Sequence, residues 1–247
     1  MDEATRIFNK VFFALIGTWA DTFSCRRIVL AGVADAQRQL LEQNARWFEQ
    51  FVNDPTNEAV FLDKAKYLET VGGVAVVAKS VTEQEVNAYG GSVDAASLVF
   101  MHSALDGAAH DLCRVTALVD PDQWHQFIEN QQERLGVLRA QGYDTVASDR
   151  ISSFVDALSR ESLITKTDRL FQVCRPDRAY SRKGYQFDRD RLKGLDRLRH
   201  DIVHRDRPRA PIQDVADGIE FMRETGLFFF GMVNYRYGLK IDPAYLS

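Results

Sequence analysis

Every long segment of this 247-residue chain repeats its apolar residues at i, i+3 and i+4, the spacing that lines one side of an α-helix. Only Gly73-Val74-Ala75-Val76-Val77-Ala78 has strand-like content, and it is too short and isolated to build a sheet; a helical or irregular conformation is expected there. The pattern therefore restricts the chain to an all-α helical bundle. Its length and its 45% hydrophobic content allow a substantial core without disulfide or metal staples.

Ile7, Phe8, Val11, Phe12, Leu15, Ile16 and Trp19 predict a first amphipathic helix of about five turns. A second is expected from about Val33 to Val52, stopped by Asn53-Asp54-Pro55, and a third from Glu58 to Thr70, ended by Gly72-Gly73. Thr82, with Glu83 and Glu85, marks a further start, and Gly90-Gly91 reads as a break. That break divides the chain into an N-terminal helical extension over 1–90, packed on the core, and a helical domain over 91–247. Ser92 opens a long helix to about Val119, with Asp94 in its first turn. Asp120-Pro121 starts the next helix, carrying Trp124, Phe127, Ile128 and Leu135; Ser148 or Asp149 starts another. Leu163 to Cys174 is expected to be helical and to end at Arg175-Pro176-Asp177, before a polar, basic loop running to Gly184. Leu192, Leu195, Leu198 and Ile202 define a helix from about Phe187 that ends just past His204, ahead of Pro208 and Pro211. A final apolar helix from about Ile212 to Gly238 should lie against it.

Cys25, Cys113 and Cys174 are odd in number and far apart, which supports neither a disulfide framework nor a cysteine zinc site and fits a reducing cytoplasm. The longest apolar runs fall short of the roughly 18 residues of a membrane span, and the acidic N-terminus lacks a secretory start. The net charge of −4 argues against a general polyanion binder. It is unevenly spread, however: residues 182–209 hold 10 Lys/Arg and 5 Asp/Glu, a local +5 that leaves −9 elsewhere. Such a surface can meet phosphate groups, although a solvated helix face laced with pairs such as Asp196–His200 and Arg197–Asp201 would carry the same charges.

Four of the five histidines fall on two helices. His102, Asp106, His110 and Arg114 succeed one another at i,i+4 as one polar ridge, and His200 and His204 share a face of the later helix. His200-Asp201-Ile202-Val203-His204 has the histidine spacing of the zinc motif H-E-x-x-H, but Asp201 replaces its glutamate and no histidine follows downstream. Zinc hydrolysis through His200 and His204 is thus a minor reading, as is a tri-histidine site completed by His110.

Arg199-His200-Asp201-Ile202-Val203-His204 resembles the R-x4-6-H motif of the HEPN superfamily, all-α domains common among prokaryotic toxins and RNA-cleaving defence proteins. The resemblance covers Ser92 to the C-terminus and leaves the first 90 residues unaccounted for. It implies a metal-independent endoribonuclease of the toxin or phage-defence class, or alternatively a non-catalytic RNA-binding or protein-interaction module. RNA, a second copy of the chain, and an antitoxin or other defence protein are the implied partners; neither a cofactor nor a membrane is expected. Some HEPN toxins are silenced at a tyrosine two residues past the motif histidine; Asp206 stands there, so that control is not expected.

Physical chemistry supports the same roles. Metal-free RNA cleavage needs a base for the 2′-hydroxyl, an acid for the leaving oxygen and a cation for the charge on phosphorus. Arg199 would hold the phosphate with its fork of donors, and His204 would move the proton. His200, or the ridge of Asp106 and His110, would position or tune them. Residues five apart lie about 140° apart around a helix, so Arg199 and His204 cannot both face one phosphate from a regular helix. Either the helix distorts near Val203, or a second copy supplies the missing group across a basic groove.

Overall fold

The computed structural model describes residues 2–53, 64–129, 144–176, 187–204 and 212–242, and among them the chain is all-α with no strand. The described residues form seven α-helices: α1 (Glu3–Asn53), α2 (Lys64–Val119), α3 (Pro121–Glu129), α4 (Asp144–Ala157), α5 (Leu163–Cys174), α6 (Arg189–His204) and α7 (Ile212–Tyr237), with a 3-10 turn over Leu158–Arg160 between α4 and α5. Expectations for Asp54-Pro55, Glu58, Leu135, the run Asp177 to Gly184, Asp206 and the prolines at 208 and 211 lie outside the described residues.

The chief correction concerns the first half of the chain. The two helices expected before Asn53 are one 51-residue helix, and the expected breaks at Gly72-Gly73 and Gly90-Gly91 are interior turns of one 56-residue helix. Glycine in a helix interior costs only about 1 kcal/mol relative to alanine, less than a long helix packed along a neighbour recovers. Ser92 therefore opens nothing; its hydroxyl donates to the Ala88 carbonyl one turn back at 3.1 Å. The seam between α1 and α2 turns polar where the apolar period lapses. The Thr22 hydroxyl donates to the Thr18 carbonyl, and Arg26 pairs with the buried Asp94 carboxylate at 2.5 Å.

Two regions result. The base holds the core, with α2 at its centre in contact with every other element. Ala4, Phe8, Val11 and Leu15 of α1 meet Leu98, Met101, Leu105 and Leu112 of α2, and Phe230 of α7 sits edge-on to Phe8 and Phe12 at 5.3 and 5.2 Å. α7 comes close because it carries glycine at the contacts: a Cβ on Gly226 would stand 2.5 Å from Leu15, and one on Gly218 2.9 Å from Leu195. Beyond the base, α1 and α2 continue together as a two-helix arm. Between Leu15 and Ala95 no described residue adds a buried apolar side chain to the core.

The later helices follow their local signals. Ser162 caps α5, its hydroxyl accepting from the Thr165 N–H at 3.2 Å, and Arg175 ends it in the left-handed conformation at φ 45°. α7 stops at Gly238, whose φ of +69° suits a residue without a Cβ. Asn9 then ties the following segment to α1, donating to the Lys240 carbonyl at 3.1 Å and accepting from the Asp242 N–H at 2.7 Å.

Candidate functional site

The ridge on α2 forms as a face, but each member is engaged by a different neighbour. The buried His102 Nε2 stands 2.9 Å from the Asp196 carboxylate of α6; a carboxylate only accepts, so Nε2 carries the proton. Asp106 accepts from Lys166 of α5, whose Nζ lies 2.7 Å from both carboxylate oxygens. Lys166 is 1% exposed and the Asp106 side chain 31%, so the ammonium is the member that depends on the pair for solvation. His110 turns toward α4 and donates from Nε2 to the Val155 carbonyl at 3.1 Å. Arg114 lies 3.6 Å from Asp111 and 3.9 Å from Asp156.

Helix α6 presents the motif on a regular turn. Its start is fixed by Asp188, which accepts from the Arg191 N–H at 2.9 Å, and by Arg189, which grips Asp168 of α5 through two nitrogens. Leu192 and Leu195 are buried, while Leu198 and Ile202 pack against the core from its edge. That inward stripe leaves Arg199 half-buried and His200, Val203 and His204 exposed. The helix continues unbroken to His204, so of the two alternatives for bringing Arg199 and His204 together the distortion near Val203 is not seen.

His200 and His204 lie against each other, ring centroids 4.5 Å apart and planes inclined by 43°. Arg199 is half-buried and stands about 100° around the helix from His200. It forms no ion pair among the described residues, and its Nε is buried without a hydrogen-bond partner. Arg199 is also close enough to His102 to disfavour charge on that ring. Burial is the larger cause of the depressed His102 pKa, and the nearby Asp196 and Asp106 carboxylates only partly oppose it.

Of the residues singled out in the sequence, Arg199 and Asp106 thus lie near enough to His102 to bear on its charge, His200 and His204 form an exposed pair, and His110 serves another interface. Among the described residues no group of three His, Cys, Asp or Glu side chains is placed to hold a metal ion. Sequence reasoning missed Lys166 and the true partner of Asp196, which is His102 on α2 and not His200 on its own helix. The only local sign of Lys166 is a lysine on the apolar side of α5, between Leu163 and Leu170. The thiols of Cys113 and Cys174 are free, and burial pushes that of Cys174 up to about 12. Such thiols are poor nucleophiles at neutral pH. No described helix is long and apolar enough to cross a membrane. Neither a protein-family model, nor a curated protein, nor a solved structure matches the chain.

Proposed function

We propose that the chain is a metal-independent endoribonuclease of the HEPN type, acting in the cytoplasm as a toxin or phage-defence effector. The observation that carries this reading is Arg199, a half-buried cation with no ion pair among the described residues and an unpartnered Nε, on the same helix as two exposed histidines, His200 next to it and His204 five residues on. A guanidinium held in this way is suited to the two non-bridging oxygens of a phosphate.

In the reaction, a histidine takes the proton of the ribose 2′-hydroxyl and the 2′-oxygen attacks phosphorus. The bond from phosphorus to the 5′-oxygen breaks, a second proton donor protonates that oxygen, and a 2′,3′-cyclic phosphate and a 5′-hydroxyl remain. His204, exposed on α6, is the proton-transfer group, and the adjoining His200 ring orients it. Because Arg199 and His204 diverge on a regular helix, the full set of groups is drawn from two copies of the chain across a shared groove.

Purified protein should cleave RNA in the presence of a chelator, and His204→Ala should lower the rate about 10²–10⁴-fold. Because His204 is exposed, the thermal midpoint should be unchanged. Activity that requires zinc would sink this reading. The engagement of His102, Asp106 and His110 in contacts between helices favours one alternative, a non-catalytic RNA-binding or protein-interaction module. Such a module would shift labelled RNA and leave it intact.

A further inference from the structure

Among the described residues, the apolar side chains of the arm are left uncovered within one copy of the chain. From Phe23 to Asn53, α1 extends for roughly 45 Å at the helical rise of about 1.5 Å per residue. Over this length, α1 and α2 bury no apolar core residue among those described. Instead, large apolar side chains face outward on both helices: Ile28 is 67% exposed, Val76 69% and Tyr89 58%, with Phe23, Leu40 and Val81 at 44–46%. Between the two helices runs an apolar groove of about 520 Å³ lined by Val29, Gly32, Val33, Ala36, Val86 and Tyr89. Ile28 lies one turn before Gly32, so groove and apolar rim share a side of α1. A Cβ added at Gly32 would meet nothing within 4 Å, so this copy of the chain does not require the glycine for packing.

We infer that the arm is a self-association surface, on which two copies lay their helix pairs together and close a four-helix bundle over the two grooves. Size and charge identify the occupant. The outward apolar side chains offer on the order of 700 Å² per arm, close to the roughly 800 Å² per partner of a stable protein interface. Positions 20–53 and 64–93 carry seven Lys/Arg and seven Asp/Glu, so the arm is neutral within a chain of net charge −4. A neutral surface meets its own copy without the like-charge repulsion that a charged one would impose. A second arm also has the matching length and an equal need of cover, and the missing Cβ at Gly32 allows close backbone approach.

This inference does not depend on the cleavage chemistry, and its test reads association alone. Sedimentation velocity of the full chain should show a dimer that dissociates on dilution. Ile28→Glu and Tyr89→Glu, at positions already facing solvent, should keep the helical circular dichroism and weaken the dimer about a hundredfold each. Tyr235→Glu, exposed on α7 in the base, should leave it unchanged. Cys25 is exposed while Cys113 and Cys174 are buried, so a spin label on the native Cys25 reports arm-to-arm distance. Paired arms give a defined intermolecular distance that Ile28→Glu abolishes. A chain monomeric at every concentration, or a dimer indifferent to Ile28 and Tyr89, would overturn the inference. So would a monomer that binds phosphatidylcholine vesicles through these residues.

Discussion

The base and the arm are built from the same two helices and obey opposite rules. In the base, α1 and α2 are surrounded, and a position is decided by what it touches: Phe8, Leu98, Leu105 and Leu112 have no solvent exposure, and even a lysine is enclosed. In the arm, among the described residues, the same helices pack chiefly on each other, and a position is decided mainly by helix propensity and solvent. One kind of substitution therefore has different consequences at the two ends of a single helix pair, and the contrast can be broken by measurement.

The largest effect is expected at the Asp106–Lys166 pair. Asp106→Ala strands a buried ammonium and should cost about 3–5 kcal/mol in urea unfolding. Lys166→Met leaves a carboxylate that water can reach and should cost only about 1–2 kcal/mol. Equal losses from both would show that the lysine does not depend on the carboxylate. The next effect is a reversal of sign. Gly226→Ala drives a Cβ against Leu15 and should destabilise by about 1–3 kcal/mol, whereas Gly72→Ala, with open space around it, should stabilise by about 1 kcal/mol. Thermal midpoints moving in the same direction would erase the distinction between base and arm.

The smallest effect is on pH dependence. The fold disfavours charge on His102, while the unfolded side chain takes up a proton near pH 6.5, so the unfolded chain binds more protons just below that pH. The contribution is complete above about pH 6.5 and is lost as pH falls toward the depressed folded value. His102→Gln should therefore flatten the decline of the urea midpoint between about pH 7.5 and about pH 5. An unchanged slope would mean that the ring does not sense its burial.

What could be read from the sequence divides along the same line. Where a helix end is marked by chemistry within a few residues, it was legible: Asp120-Pro121 before α3, Arg175 after α5 and Gly238 after α7. Gly72-Gly73 and Gly90-Gly91 misled because a glycine pair signals a turn only when nothing alongside holds the helix. Thr22 and Arg26 misled because they interrupt the apolar period at the seam, and the carboxylate that compensates Arg26 lies 68 residues away at Asp94. The candidate site followed the same rule. The ridge from His102 to Arg114 and the stripe on α6 were visible in their spacing, but Lys166 against Asp106 and Asp196 against His102 join residues 60 and 94 positions apart, which no local pattern encodes.

Helix α2 has no interruption from Lys64 to Val119, so it behaves mechanically as one shaft. Val76 and His102 lie 26 residues apart on it, roughly 40 Å along the axis. No proline or loop lies between them, and Gly90-Gly91-Ser92 is the place in the span where the helix bends most easily. A grip on the outer end would reach the carboxylate that neutralises Lys166 and the His102 imidazole only as far as those glycines hold the helix straight. Elastic coupling of this kind requires no change of fold, only a shaft stiffer than the contacts at its ends.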